Sequence, residues 1–332
     1  MENNSNKKGL EETIKEIEKK FGKGSIMKLN DKPNKENEVI STGSLSLDIA
    51  LGIGGYAKGR IIELFGPESS GKTTLALHAV VEAQKAGGNV AFIDAEHALD
   101  AFYAKSIGID MNKFYLSQPN SGEQALDIAF KLIDSGHISL LIVDSVAALV
   151  PEAELVGDMS SNHIGLQARM MGQAMRKQSG IIAKTNTIVI YINQLREKTG
   201  IMFGNPEITP GGKALKFFSS MRLDIRKAET IKEGHEITGI RSKIKILKSK
   251  LSPPLKIAMI DIIYGKGISK VGEVVEIATK HNLMQKNGSW YNYKGEKIAQ
   301  GYENTKKYLI DNPKIYHYLL TEIKKIYNIW KN

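Results

Sequence analysis

The sequence predicts an α/β protein: a central, mostly parallel, twisted sheet flanked by helices, with a small helical segment before it and a small α/β domain after it. Three observations carry this. Between residues 61 and 263 short apolar runs (IIELF, VAFID, LLIVD, IVIYIN) alternate with helical segments, the signature of a parallel sheet with covering helices. One of these runs passes through a glycine-rich turn straight into a helix. Beyond Gly272 the pattern changes to short amphipathic helices around an aromatic turn region, Trp290, Tyr291 and Tyr293, followed by a Lys- and Tyr-rich helical end. The expected divisions are 1–33, 34–269 and 270–332, since 332 residues exceed what one hydrophobic core usually supports.

Composition narrows the class. With 42% hydrophobic and 25% charged residues the chain is an ordinary globular one. The absence of cysteine excludes a disulfide scaffold, a thiolate metal site and a cysteine nucleophile, and agrees with a reducing compartment. The opening MENNSNKKGL lacks the apolar core of a signal peptide and no run of about eighteen apolar residues occurs, so a cytoplasmic protein without a membrane span is expected. No internal repeat or low-complexity tract is visible. Of the net charge of +10, residues 1–150 carry −4 and residues 151–332 carry +14. A polyanion-facing surface is therefore expected in the second half, although plain solubilising charge would look the same.

At the start, Leu10, Ile14, Ile17 and Phe21 recur at helical spacing, describing an amphipathic helix of about three turns that ends at Gly22 and Gly24. It can pack on its own domain or dock on a neighbouring subunit, with the polar residues 31–38 as a tether. The segment does not choose between them.

Residues 66–73 read GPESSGKT, directly after the strand IIELF and directly before the helical run LALHAVVEAQ, which is a P-loop in its required context. The backbone N–H groups of Gly66, Pro67, Glu68, Ser69, Ser70 and Gly71, proline excepted, are expected to cradle phosphates at the helix N-terminus, with Thr74 next in line. Lys72 supplies positive charge and Thr73 a hydroxyl for Mg2+. Asp144 closes the run LLIVD, where an acid is often a turn residue or cap; beside a P-loop it is the expected Walker B acid holding the magnesium shell. Glu96, just past the strand VAFID, is the expected general base for the water that attacks the γ-phosphate. Asp94 can be structural, and His97 reads as a polar neighbour. These positions fall at the carboxyl ends of strands, where open α/β sheets bind ligands. IVIYIN likewise runs into Asn193 and Gln194, an amide placed to sense the γ-phosphate.

After Gln194 comes LREKTGIMFGNPEITPGGKALKFF, with Gly200, Gly204, Gly211 and Gly212, too polar and glycine-rich for a core element. A second such stretch, 154–165, precedes a predicted helix over 166–177 that presents Arg169 and Arg176. Glycine N–H groups and guanidinium groups suit a phosphodiester backbone, and an active-site lid is the plainer alternative. Further on, Arg241, Lys243 and Lys245 alternate with Ile244 and Ile246, so one strand face is basic and the other buried, with Lys248 and Lys250 continuing the pattern. Lysines that discourage edge pairing would look alike; Arg222, Arg226 and Lys227 nearby tilt the reading toward a polyanion.

Over almost its whole length the chain resembles the bacterial RecA recombinases, from GKGSIMKL to NGSWYNYKGEKIAQG. The most specific stretches are ISTGSLSLDIALGIGGYAKGRIIELFGPESSGKTTLALH, FIDAEHALD, LLIVDSVAALVPEAEL, IGLQARMM and FGNPEITPGGKALKF. The resemblance implies a RecA-like P-loop NTPase core: a DNA-dependent ATPase that binds ATP and Mg2+ between successive subunits of a helical filament. It implies polymerisation on single-stranded DNA, pairing with homologous duplex DNA, strand exchange in repair of DNA damage, and stimulated self-cleavage of an SOS repressor. In that likeness 1–33 is an oligomerisation segment, 34–269 the ATPase and DNA-binding core, and 270–332 the small C-terminal domain. Asp100 and Tyr103 fall where the family contacts the adenine, Tyr264 among its nucleotide-binding positions, and Gln194 where it couples nucleotide to DNA. Lys248 and Lys250 would reach the γ-phosphate of the adjoining subunit, and Phe217 would plug the interface. Arg169, Arg176, Gly211, Gly212 and Lys213 fall at DNA-contacting positions, and Arg226, Lys243 and Lys245 at the secondary DNA site.

Three departures stand out. The first loop reads LVGDMSSNHIG, where relatives usually carry more acid and glycine; Lys266 stands where Glu is usual; and the chain stops at YNIWKN without an acidic tail, so looser control of duplex binding is expected. A ring-forming helicase-like motor and a small-molecule kinase start from the same P-loop. The first would not need the GGKALKF loop, and the second would not need a basic second half.

Overall fold

The computed structural model describes residues 2–28, 38–158, 165–197 and 206–329. The expected tether at 31–37, much of the 154–165 loop (159–164), Gly200, Gly204 and the last residues 330–332 lie outside these. The chain divides into two compact units, Met1–Glu38 and Val39–Asn332.

Among its described residues the first unit holds one helix, Glu2–Phe21, of 20 residues. It is longer than the three turns read from the apolar spacing, because polar residues such as Glu2, Lys7 and Lys8 continue a helix while giving no periodic apolar signal. Lys19 and Lys20 in its last turn complement the helix dipole, and Gly22 at φ +96° ends it.

The second unit is built on a nine-stranded sheet. In spatial order its strands are Gly267–Ile268, Ile257–Ile263, Glu236–Ser249, Met221–Glu233, Ile61–Gly66, Ile188–Gln194, Ile138–Asp144, Asn89–Asp94 and Phe114–Ser117. From Met221–Glu233 to the Phe114–Ser117 edge every pairing is parallel. The other pairings are antiparallel, so the helix-covered pattern read as running to residue 263 gives way after Met221 to a meander. Only Gly234 and His235 separate the first two strands of that meander, which leaves no room for a crossover helix.

The parallel strands are apolar on both faces because helices cover both. On one face Leu45–Leu51 and Lys72–Lys85 pack Leu47, Leu51, Leu75 and Leu77 onto Ile62, Leu64 and Ile190. On the other, Gly122–Asp134 and Leu166–Thr185 pack Ala125, Ile133, Met171 and Met175 onto Ile93, Leu141 and Tyr191.

The C-terminal region folds around its own core, with the three-stranded antiparallel sheet Gln285–Asn287, Trp290–Tyr293 and Glu296–Gln300 beside helices Lys270–Lys280, Tyr302–Asp311 and Pro313–Tyr327. Its first helix and the strand just before it tie back at three points. Buried Glu273 bonds Ser44 Oγ and accepts from Leu45 N at 2.8 Å, so its carboxyl caps the N-terminus of Leu45–Leu51. Burial outweighs these bonds and pushes that carboxyl up to about 7. Lys270 pairs with Glu82 at 2.6 Å, and the Ile268 N–H donates to Nε2 of His78 at 2.8 Å, both partners lying on the helix Lys72–Lys85.

Candidate functional site

The expected P-loop forms at the end of the strand Ile61–Gly66. Gly66 is at φ +159°, and a Cβ there would lie 2.0 Å from the Ile225 carbonyl oxygen, so only glycine lets the strand turn this close to its neighbour. Pro67, Glu68 and Ser69 are exposed, and Gly71 starts the helix in the left-handed region at φ +97°. Lys72 is buried, its ammonium donating to Gly66 O at 3.0 Å and Pro67 O at 2.6 Å. Burial lowers its pKa, opposed by Asp144, Glu96 and Glu68. Ser70 is buried with its hydroxyl unpartnered, while Ser242 fixes the loop from the next strands by donating to Ser70 O at 2.8 Å. An orphaned hydroxyl, a buried ammonium and a helix N-terminus around one loop suit a phosphate chain.

Asp94 and Asp144 end neighbouring strands in register. Thr73 Oγ1 donates to Asp144 Oδ2 at 2.7 Å, and burial pushes the Asp144 carboxyl up to about 6. A hydroxyl and a carboxylate at this separation are a hard-oxygen donor set that suits Mg2+. Asp94 is structural: it accepts from Ala98 N, Leu99 N and Gln118 Nε2 and so shapes the turn that carries Glu96. Glu96 is exposed; Gln194 Nε2 donates to its Oε1 at 2.9 Å, and Ser145 Oγ bonds the same oxygen. His97 is exposed.

The Tyr103 hydroxyl lies 3.3 Å from the Thr74 hydroxyl, and Ser106 Oγ donates to Gly265 O at 3.1 Å, which brings the helix Ala101–Ser106 between the P-loop helix and exposed Tyr264. Asp100 caps that helix through Phe102 N and Tyr103 N.

The two glycine-rich segments meet at their feet. Arg196–Glu197 pairs with Glu207–Ile208 and closes the second loop. Gly211, at φ +82°, sits where a Cβ would lie 2.8 Å from Val146 Cγ1, and its N–H donates to Gln167 Oε1 at 3.2 Å. Gln167 Nε2 in turn donates to Val146 O and Leu149 O, so one amide joins both loops to the Asp144 strand. The helix there spans Leu166–Thr185, longer than predicted, and Arg169 and Arg176 are exposed on it two turns apart. Gly212 and Lys213 are exposed beside them.

On the antiparallel strands Lys243 and Lys245 are exposed as expected, but the arginines are committed to acids. Arg222 is buried on Glu63 and stacked over Phe65 at 4.6 Å, so it adds nothing to a basic surface. Arg241 grips Asp261 and Glu276, and Arg226 grips Asp224 and Glu207. Lys248, opposite Arg222 in register, donates to Lys216 O at 2.8 Å and Phe217 O at 2.9 Å, and Lys250 N bonds Ser220 O at 3.0 Å. Register therefore sets Lys248 level with Glu63, three residues before the P-loop turn. The Phe217 ring is 66% exposed on the short helix Ala214–Phe218.

Sequence reasoning missed Ser145, Gln167 and Glu63. Gln167 lies in the stretch IGLQARMM and Ser145 follows Asp144, but a lone amide or hydroxyl gives no local signal.

Comparison with known proteins places these features in context. Residues 8–269 match the RecA N-terminal domain model and residues 272–328 the RecA C-terminal domain model. The chain is 67% identical over 322 residues to Protein RecA of Phytoplasma mali (strain AT), covering 96% of this chain and 95% of that one. It is 60% identical over 331 residues to Protein RecA of Acholeplasma laidlawii, covering 100% of both. The crystal structure of the RadB recombinase superposes with a TM-score of 0.53 at 26% identity, over 69% of this chain and 98% of that one.

Proposed function

Because the chain belongs to the RecA family, we propose that it polymerises on single-stranded DNA as a helical filament, hydrolyses ATP between successive subunits, and pairs the bound strand with a homologous duplex for strand exchange in repair. The observation that carries this reading is the bond from Gln194 to Glu96. It joins the residue suited to activate water to the strand end that leads into the glycine-rich loop.

The P-loop N–H groups and Lys72 hold the ATP phosphates, while Asp100, Tyr103 and Tyr264 face the adenine. Thr73 and Asp144 would hold Mg2+, which supplies charge neutralisation on the phosphates. Glu96 takes the proton from the attacking water, and Ser145 keeps its carboxylate aimed. When Gln194 turns to the γ-phosphate it leaves Glu96 free and pulls on the loop that follows. Lys248 and Lys250 act on the nucleotide of the adjoining subunit, with Phe217 and the N-terminal helix in the contact between subunits. Arg169, Arg176, Gly211, Gly212 and Lys213 grip the phosphodiester backbone without reading bases. Lys243, Lys245 and Arg226 line the second DNA site, and the filament promotes self-cleavage of an SOS repressor. Among the described residues no helix is long and apolar enough to cross a membrane.

The test is ATP hydrolysis with and without single-stranded DNA, for the natural chain and Glu96→Ala, at two salt concentrations. Strong stimulation that is lost in Glu96→Ala and weakens with salt is expected, followed by strand exchange between homologous DNAs. Turnover indifferent to DNA would return the reading to a small-molecule kinase.

A further inference from the structure

Glu63 is an ionisable residue with no exposed surface in the middle of the strand Ile61–Gly66, where every other side chain is apolar. None of the nucleotide chemistry above uses it. A carboxylate without water persists only when fully partnered, and its two oxygens are partnered on opposite sides. Oε2 takes the Nε–H of Arg222, a guanidinium that is itself buried and fixed over the Phe65 ring. Oε1 takes Nδ2 of Asn193 at 3.2 Å.

Each partner leads to a different functional surface. Asn193 adjoins Gln194, accepts its backbone N–H at 3.0 Å, and donates to Pro210 O at 3.1 Å, one residue before Gly211 at the foot of the glycine-rich loop. Arg222 stands in register with both Glu63 and Lys248. Lys248 holds the last carbonyls of the helix that displays Phe217, and its pKa is lowered by burial and then by the nearby cations Lys250 and Arg222. One carboxylate thus sits between the Gln194 amide and loop foot on one side and the Lys248–Phe217 surface on the other.

We propose that Glu63 is a positioning residue that couples Gln194 and the foot of the glycine-rich loop to the Lys248–Phe217 surface. The inference rests on the function proposed above, in which those surfaces serve the ATP sites of successive subunits. The physical reason is that neither partner can withdraw alone. In a low-dielectric interior, pulling Asn193 away leaves the carboxylate under-bonded, and pulling Arg222 away leaves a bare buried charge. A displacement at one end is therefore passed on instead of being absorbed.

Glu63→Gln in the full-length chain keeps the size and an oxygen that accepts from Asn193, but removes the anion that holds Arg222. ATP affinity without DNA is expected to stay within twofold, while stimulation of kcat by single-stranded DNA falls at least tenfold with KM little changed, and the melting temperature drops. Adding Arg222→Met removes the unpaired cation and restores the melting temperature. A residue that served packing alone would regain DNA stimulation with it, and that result overturns the proposal; recovered stability with stimulation still low supports it. Should either variant fail to fold, Asn193→Ala cuts the other arm and leaves the ion pair intact: the same loss of stimulation is expected, and natural stimulation there overturns the proposal. Absence of DNA stimulation in the unsubstituted chain would sink the functional reading and this inference with it, whereas full stimulation in both the parent and the double variant sinks this inference alone.

Discussion

Thr73 Oγ1 and Asp144 Oδ2 are 2.7 Å apart, a direct bond between the first turn of the P-loop helix and the end of a strand 71 residues later. If that pair holds the divalent ion, Asp144→Asn keeps an acceptor for Thr73 and the fold with it, but removes the charge the ion needs. Hydrolysis should fall roughly a hundredfold or more. Phosphate release across a magnesium titration, with thermal melting as the control for folding, checks it.

Glu96 has a different task and so a different signature. Glu96→Gln still accepts from Gln194 and Ser145, so ATP binding should persist, while turnover drops by about 10²–10⁴ because the proton acceptor is gone. Equal losses in binding and turnover would place Glu96 in phosphate recognition instead.

The basic strand face separates into free and committed cations. Lys243→Ala and Lys245→Ala should leave stability within about 0.5 kcal/mol and each reduce the magnitude of the salt slope of duplex binding by about 0.9. Arg241→Ala strands Asp261 in a mostly buried site, so it should cost about 1–3 kcal/mol of stability. Denaturant melts alongside DNA binding at several salt concentrations distinguish the two kinds of residue.

Glu273 sets a pH dependence of definite sign. Its carboxyl is raised from 4.5 to about 7 in the folded chain, so its stabilising effect is complete below 4.5 and is lost as the pH rises to about 7. Over that interval it changes stability by at most about 3 kcal/mol. His78 runs the other way: burial lowers it to about 4, so it destabilises the fold as the pH falls from 6.5 toward 4. Melting temperatures of the natural chain and Glu273→Gln from pH 4.5 to 8 isolate the first effect: the variant's stability relative to the natural chain should rise steadily between 4.5 and 7, because the opposing His78 slope is common to both.

The parts of this site that could be read from sequence are those written contiguously. GPESSGKT carries its own context, and the Lys243–Lys245 alternation states which face is wet. What could not be read depends on partners far away along the chain: Arg222 finds Glu63 at a separation of 159 residues, and Glu273 finds Ser44 at 229. A charge tally counts Arg222, Arg226 and Arg241 as free cations because it cannot see the carboxylates that pair with them. The N-terminal helix was underestimated for a related reason, since its polar first turns have no apolar rhythm. The antiparallel meander was masked by strands as apolar as their parallel neighbours.

The bonds from Lys72 to the carbonyls of Gly66 and Pro67 mean that a phosphate does not arrive at a bare charge. Two of the three ammonium N–H groups are taken by the loop's own oxygens, which leaves the third for an anion. Lys72 thereby also braces the loop: its ammonium ties the carbonyls where the strand ends and the turn begins to the first turn of the helix. Replacing it would loosen the loop before any ligand is offered.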